Sequence, residues 1–344
     1  MACEVRLGRA ASLRPAARRR KRSVPPWIEG SVSRKRARGT KPHGAGAARA
    51  FLGELIDHAP LFPPASLGMD DALAAHERAE GGPHFWMLGR FVVTAARLPE
   101  LIAALERDDA PGPLPLSVVA SDPGKDLPAI AALAREHASR IDIETVEARA
   151  PIGALTEAFE AADLPGEPEL YVELDPSDPI ALESWLLELS RYREASERDA
   201  CAKVRCGGAT ADAVPSAASL AHFIALTHGL GVPFKATAGL HHPIRSLRPL
   251  TYAADSPRAA MHGYINVFAA AAFAWHGADR EHLVKVIAEE DPRAFEFADD
   301  ELRWRGNRLT TAQVQEARRD FAHSFGSCSF EEPIADLREL GYLS

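Results

Sequence analysis

Two lysines lie inside predicted β-strands that follow one another along the chain, and each is followed by glycine. Residues 202–208 read AKVRCGG around Lys203, and residues 234–240 read FKATAGL around Lys235. A buried ammonium group loses hydration that apolar neighbours cannot replace. A lysine in a buried strand therefore predicts a chemical role, and one such role is to lose its proton and attack a carbonyl carbon.

The chemistry predicted for the pair is Schiff-base formation with an aldehyde or ketone. If both ammonium groups face the same interior, burial and like charge lower one lysine pKa and leave a neutral amine near pH 7. The open alternative is an ion pair between one lysine and Glu173 or Asp175, with a structural role only. We therefore take Lys203, Lys235 and Glu173 as catalytic candidates, together with His241 as a proton donor or acceptor.

The elements that must position these residues follow a regular alternation of strands and helices from residue 50 onward. Seven βα units recur at spacings of roughly 25–35 residues, which is the size of a βα crossover unit. An eighth strand follows an insertion, residues 245–322, which reads as mainly helical. The predicted strands are Leu52–His58, Leu88–Thr94, Leu114–Ala120, Ile141–Glu147, Glu169–Leu174, Ala200–Cys206, Val232–Ala238 and His323–Phe330.

This alternation predicts an α/β fold, a (βα)₈ TIM-type barrel with a helical insertion between strands 7 and 8. The alternative is an open doubly wound sheet, which the missing Gly-x-Gly-x-x-Gly turn after the first strand disfavours. Insertions at the carboxyl ends of barrel strands often carry lids and substrate loops. The barrel domain is expected to span residues 50–344.

Substrate-binding residues are expected at the carboxyl ends of the barrel strands. Arginines there would make charge-assisted contacts with an anionic group, and glycines would let backbone N–H groups approach it. The substrate class predicted is therefore a small anionic carbonyl compound, and neither a metal nor a cofactor is expected. The predicted binding residues are His58, Arg90, Arg205, Gly207, Gly208, Thr237, Gly239, His242 and Cys328.

The segment from Lys203 to Gly239 resembles strands six and seven of the deoxyribose-phosphate aldolase group of class I aldolases. The resemblance rests on Lys203 with the glycines after it, on a helix start at Pro215-Ser216, and on the KATAG run at Lys235. It implies that Lys203 forms the Schiff base and that Lys235 lowers its pKa. It also implies an acidic partner on an earlier strand, for which the sequence offers no clear counterpart.

A second resemblance covers nearly all of residues 50–344. The segments KATAGLHHP, residues 235–243, and SFGSCSFEEP, residues 324–333, resemble a bacterial protein family to which we attach no activity. It implies one coherent unit and no particular reaction.

Two further functions stay open. One is a metal-dependent barrel hydrolase or isomerase in which His58, His241 and His242 bind the ion. The other is a non-catalytic binding protein that attaches to nucleic acid through its basic first segment. Residues 1–50 contain 14 Lys or Arg and two Glu, a local charge of +12 in a chain of net charge −8. Such a stretch predicts a disordered basic tail, residues 1–49, without an assigned role.

Amino-acid composition indicates the class of protein and the compartment expected for it. The 344 residues are 46% hydrophobic and 26% charged, which is typical of a soluble globular protein. No apolar run reaches the ~18 residues needed to cross a bilayer. Four cysteines without a Cys-x-x-Cys pair fit a reducing cytoplasm. We expect a small-molecule substrate as the partner and no membrane or nucleic acid, and homo-oligomerisation is left open.

Overall fold

The computed structural model describes residues 46–107, 112–196 and 198–343, and within them the strands form one barrel and two small sheets. The strands are β1 (Ile56–His58), β2 (Leu88–Thr94), β3 (Leu114–Ala120), β4 (Ile141–Ala148), β5 (Glu169–Leu174), β6 (Ala200–Arg205), β7 (Phe234–Thr237), β8 (Ser246–Pro249), β9 (Arg258–Met261), β10 (Phe295–Phe297), β11 (Glu301–Trp304), β12 (Asn307–Thr310) and β13 (Ala322–Ser327).

The barrel consists of β1 to β7 and β13, all parallel, in the closed order β1-β13-β7-β6-β5-β4-β3-β2. The (βα)₈ prediction is confirmed, including the choice of the strand near residue 323 as the eighth. Because helices cover a parallel barrel from outside, its strands are buried on both faces. Nearly every residue of β6 and β7 is accordingly buried.

Eleven helices surround the barrel in the described residues. They are α1 (Gly46–Leu52), α2 (Met69–Gly81), α3 (Leu98–Leu105), α4 (Pro123–Glu136), α5 (Ile152–Ala162), α6 (Pro179–Ser196), α7 (Ala217–Gly229), α8 (Tyr264–Trp275), α9 (Arg280–Ile287), α10 (Thr311–Asp320) and α11 (Glu331–Glu339). Most of the predicted basic tail, residues 1–45, lies outside the described residues. Helix α1 begins inside the predicted tail, so ordered structure starts before residue 50.

The insertion between β7 and β13 forms part of the outer layer of the barrel. Helix α8 is buried along its length from Tyr264 to Ala274. It packs on β13, where Phe325 lies 5.0 Å from the Tyr264 ring and 6.1 Å from the Phe268 ring. The expectation of a lid is therefore wrong for this helix, because its alanines and aromatic rings serve as the apolar cover of a barrel strand.

The largest differences from the predicted strand boundaries are in the first and the last strand of the barrel. The first strand begins at Ile56 because residues 46–52 are helical, and the last strand ends at Ser327 rather than continuing to residue 330. Within the insertion that was expected to be mainly helical, residues 246–249 and 258–261 pair as β8 with β9, and helix α8 begins only at Tyr264. None of the helices in the described part of the chain is long and apolar enough to cross a bilayer.

Candidate active site

The two lysines occupy paired positions on neighbouring strands of the barrel. Lys203 of β6 is the register partner of Lys235 of β7, and Glu173 of β5 is the register partner of Lys203. Side chains at paired positions of adjacent parallel strands point to the same face. Only 5% of Lys203 and 1% of Lys235 is exposed. The sequence therefore predicted correctly that both amines face the barrel interior.

Glu147 of β4 joins the two lysines through its two carboxylate oxygens. Its Oε2 lies 2.7 Å from Lys203 Nζ, and its Oε1 lies 2.6 Å from Lys235 Nζ. The Ser117 hydroxyl donates a hydrogen bond of 2.6 Å to Oε1 and in turn accepts one of 2.7 Å from Thr145. These contacts fix the carboxylate between the two ammonium groups.

Asp57 of β1 is the second acidic partner of Lys235. Its Oδ2 lies 2.5 Å from Lys235 Nζ and accepts a hydrogen bond of 2.7 Å from Ser324. Its Oδ1 accepts the backbone N–H of Arg90 at 3.1 Å. Gly89 makes room for this contact, since a Cβ at that position would lie 2.5 Å from Oδ1. Lys235 is thus held from two sides.

Glu173 and Arg205 connect Lys203 to the solvent side of the site. Glu173 Oε2 lies 2.9 Å from Lys203 Nζ, and its Oε1 lies 3.4 Å from Arg205 Nε. The Arg205 side chain is 48% exposed, whereas that of Glu173 is 12% exposed. Arg205 follows Lys203 at the carboxyl end of β6, which is the end where barrel enzymes bind substrates.

The charges of the network determine its protonation. Burial alone would lower the pKa of Lys203, but the Glu147 and Glu173 carboxylates outweigh burial and raise it above its ordinary value. Burial would raise the pKa values of Asp57 and Glu147, but the adjacent lysines hold both below their ordinary values. The expectation of a lowered pKa is therefore wrong for Lys203, because the expected repulsion between the lysines is offset by carboxylates.

His241 and Cys328 meet at the carboxyl end of β13, after β7 and β13 respectively. Cys328 Sγ lies 3.9 Å from His241 Nδ1, and Glu332 Oε2 lies 3.5 Å from the same nitrogen. Tyr252 reaches the Glu332 carboxylate at 3.3 Å. Burial would lower the pKa of His241, but Cys328 and Glu332 raise it to about 9.

His58, His241 and His242 do not share one site. Asp57 points into the barrel, so His58, the next residue, faces outward and contacts His76 of α2 with 3.2 Å between the two Nδ1 atoms. His242 Nδ1 contacts Asp336 at 2.5 Å instead. Burial and then Arg78 lower the pKa of His58 to about 4. Among the described residues these histidines form no group with metal-binding geometry.

The other predicted binding residues have packing or ion-pair contacts. Arg90 lies 2.8 Å from Glu144 and 3.8 Å from Asp57 inside the barrel, on the third residue of β2 rather than at a carboxyl end. Gly207 and Gly239 are pressed together, since a Cβ on either would lie within 2.8 Å of the other's Cα. Gly239 also has a φ of +71°, which favours glycine.

Gly208 and Thr237 likewise have neighbours that account for them. A Cβ on Gly208 would lie 2.8 Å from the Ala213 side chain, and Thr237 Oγ1 packs over Gly326 of the next strand. Close packing therefore accounts for these glycines. One surface cleft is lined by residues 291–306 and another by residues around His242 and Asp336, and the lysines line neither of these two.

Glu147 and Asp57 are the site residues that sequence reasoning missed. Asp57 was visible at the end of the first strand, but nothing indicated whether it or His58 faces inward. Glu147 is the last residue of the predicted fourth strand, and this position was the available sequence signal for a role in the site. Two buried carboxylates on earlier strands thus contact the lysines, and the sequence analysis assigned neither.

Comparison with known proteins adds no assignment. No protein-family model matches the chain, and no curated protein matches it. The resemblances to class I aldolases and to a bacterial family therefore stay predictions.

Proposed function

We propose that the protein is a lyase that forms a Schiff base between Lys203 and a small anionic carbonyl compound. The observation that carries the proposal is the Glu147 carboxylate, which contacts both lysine ammonium groups within 2.7 Å inside the barrel. A structural ion pair needs one lysine and one acid. Two lysines sharing one carboxylate provide in addition a route for moving a proton between them.

Lys203 is the better nucleophile of the two. Lys235 is 1% exposed and is held by both Asp57 and Glu147. Lys203 lies beside Glu173, whose contact with the half-exposed Arg205 marks the direction of solvent. A substrate that approaches from the carboxyl end of the strands therefore meets Lys203 first.

Proton transfer must precede attack, because the raised pKa keeps Lys203 protonated at neutral pH. Glu147, 2.7 Å away, accepts one ammonium proton and leaves a neutral amine. Once water has left and the iminium carries the positive charge, Glu147 is a carboxylate again and lies between the iminium and the Lys235 ammonium group. Lys235 is thus a positioning and electrostatic residue.

The reaction is a carbon–carbon bond cleavage through an iminium. The amine nitrogen attacks the carbonyl carbon, and two protons from the ammonium nitrogen, one of them carried by Glu147, convert the carbonyl oxygen to the water that departs as the iminium forms. In a substrate with a β-hydroxyl, Glu147 then takes the hydroxyl proton, the bond between the α and β carbons breaks, and the β carbon leaves as an aldehyde while the electron pair passes to the iminium nitrogen and gives an enamine. Glu147 returns this proton to the α carbon, and water hydrolyses the resulting iminium to release the second carbonyl product and the free lysine.

Arg205 supplies the preference for an anionic substrate. Its guanidinium is 48% exposed and its only described acidic contact is the 3.4 Å approach to Glu173. A substrate carboxylate or phosphate would bind it in a charge-assisted manner. This also separates Glu173 from Arg205 and opens the way to Lys203.

Reductive trapping tests the proposal. The protein is incubated with cyanoborohydride and either glyoxylate, an anionic aldehyde, or propanal, a neutral one. At limiting aldehyde we expect one adduct beyond those on exposed lysines, lost in Lys203→Met and retained in Lys285→Met, whose lysine is exposed. Arg205→Ala should slow trapping by glyoxylate and not by propanal. An adduct that survives in Lys203→Met at the wild-type level would overturn the proposal.

A further inference from the structure

Three potential metal ligands meet at the amino-terminal end of the barrel interior, away from the lysines. Glu169 begins β5, Cys201 is the second residue of β6 and His323 is the second residue of β13. One ligand atom from each lies within 4.8 Å of the other two. Glu169 and Cys201 precede Glu173 and Lys203 on the same strands, so the cluster lies below the proposed active site.

We propose that Glu169, Cys201 and His323 bind a divalent transition-metal ion of the zinc class. A thiolate, an imidazole and a carboxylate are the ligand types that zinc takes in proteins, and three protein ligands leave a fourth position for water. Zinc–ligand bonds of ~2.0–2.3 Å place tetrahedral ligand atoms roughly 3.5 Å apart. The ligand atoms, which lie within 4.8 Å of one another, therefore have to approach by at most about 1 Å on binding.

Tyr171 holds two of the three ligands in place. Its hydroxyl donates a hydrogen bond of 2.8 Å to Glu169 Oε2 and contacts His323 Nδ1 at 2.6 Å. Because Nδ1 is engaged by the tyrosine, Nε2 is the ring nitrogen that would bind the ion. A ligating histidine usually has its other ring nitrogen fixed in this way by an outer hydrogen bond.

Arg193 provides the same support for the thiolate. Its Nη1 lies 3.7 Å from Cys201 Sγ and also donates to the Ala200 carbonyl. Ion binding displaces the thiol proton, and the guanidinium stabilises the resulting sulfur anion. The carboxylate and the thiolate together carry two negative charges, which match a divalent cation. Arg90 and Arg318 are further nearby cations. Arg90 is bound to Asp57 and Glu144, and Arg318 donates to the backbone carbonyls of Ala322 and His323.

Access to the cluster comes from the end of the barrel. The side chains of Glu169 and His323 are 25% and 12% exposed, whereas Cys201 is fully buried. The register of β13 is irregular between Ala322 and Phe325, and this irregularity lets both His323 and Ser324 contact residues of the interior. A binding site so formed is independent of the lyase chemistry proposed above.

Cobalt titration of the full chain, first stripped with a chelator, tests the inference. We expect one equivalent of Co²⁺ to bind with a thiolate-to-cobalt charge-transfer absorption, and Zn²⁺ to displace it. Cys201→Ser should lose this absorption, and Tyr171→Phe should weaken binding by ~10- to 100-fold, the range for outer-sphere partners. Cys328→Ser and His242→Gln are the controls and should bind like the wild type.

The inference is overturned if no charge-transfer absorption develops, or if it persists in Cys201→Ser. It is equally overturned if His242→Gln weakens binding as much as His323→Gln does, since the ion would then lie elsewhere. Should Cys201→Ser fail to fold, Glu169→Gln takes its place, because this side chain is partly exposed. It should weaken Co²⁺ binding at least ~10-fold, and unchanged affinity would count against the site.

Discussion

Lys203 and Lys235 occupy register-paired positions on β6 and β7, so their side chains enter the barrel interior at the same level along its axis. Like charges placed this way would repel each other in a dry interior. Glu147 between them removes the repulsion and binds each ammonium group directly. The two carboxylates beside Lys203 raise its pKa and keep its amine protonated in the resting protein, so the proposed Schiff-base chemistry would begin with a proton transfer.

Removal of either lysine should destabilise the fold. Lys235→Met leaves Asp57 and Glu147 with an uncompensated buried charge, and loss of one partner of a buried ion pair costs ~3–5 kcal/mol. Lys203→Met should cost less, because Glu173 can still bind Arg205. Urea denaturation of both variants measures the effect, with the exposed Lys285→Met as the control that should not change stability. Equal stability of Lys235→Met and the wild type would contradict the ion-pair network.

Glu173→Gln should increase Schiff-base trapping at neutral pH. Glu147 and Glu173 together raise the pKa of Lys203 over the lowering effect of burial, so loss of one acid lowers that pKa and increases the neutral fraction. In the wild type the trapping rate should rise roughly tenfold per pH unit below the pKa, because the neutral fraction does. The rate is measured relative to adducts on exposed lysines.

The matched control for this prediction is Glu281→Gln, since Glu281 pairs with the exposed Lys285 on α9. It should leave trapping at Lys203 unchanged. A slower rate in Glu173→Gln than in the wild type would show instead that Glu173 is the required proton acceptor.

Alkaline pH should weaken the folded state through His241. Cys328 and Glu332 raise its pKa to about 9 against the lowering effect of burial, so the protonated form favours folding. This stabilisation is complete below the ordinary histidine pKa of 6.5 and is lost as pH rises through 9. It contributes at most about 3 kcal/mol to the free energy of unfolding. The free energy of unfolding should therefore fall more steeply between pH 6.5 and 9 in the wild type than in His241→Gln. Parallel curves would contradict the contact.

Gly89→Ala should displace Asp57 and destabilise the protein by ~1–3 kcal/mol, the usual range for overpacking. The added Cβ would lie 2.5 Å from Asp57 Oδ1, so the carboxylate has to move away from β2. Gly81→Ala on α2 is the control, because no atom lies within 4 Å of its added Cβ. It should be neutral or slightly stabilising, since alanine favours helix more than glycine does. Thermal melting compares the two.

The barrel could be predicted from sequence because alternating strands and helices produce a periodic pattern. The lysines could be predicted because a charge within an apolar strand is conspicuous. The inward orientation of Glu147 could not be predicted. The register of β4 against β3 shifts between Leu116 and Ser117, so the alternation of inward and outward side chains does not hold across this point. For Asp57 the period shows only that it and His58 face opposite sides, and only the packing shows which one is inside.

The proposed metal ligands were missed for a related reason. Glu169, Cys201 and His323 are far apart in sequence and have no motif spacing. They meet because β5, β6 and β13 begin at the same end of a closed barrel. Prediction of the strands alone does not give the register between them, so it does not show which residues lie at the same level. The irregular register of β13 that lets His323 reach the interior has no sequence signature that we recognise.

Peptide mapping after limited reductive trapping by glyoxylate tests most directly whether Lys203 is chemically activated. Ordinary solvent access predicts modification of exposed lysines, and Lys285 is 63% exposed whereas Lys203 is 5% exposed. The proposed mechanism predicts that the first adduct forms on Lys203 despite its burial. Adducts that follow exposure, with Lys203 unmodified when Lys285 has fully reacted, would contradict it.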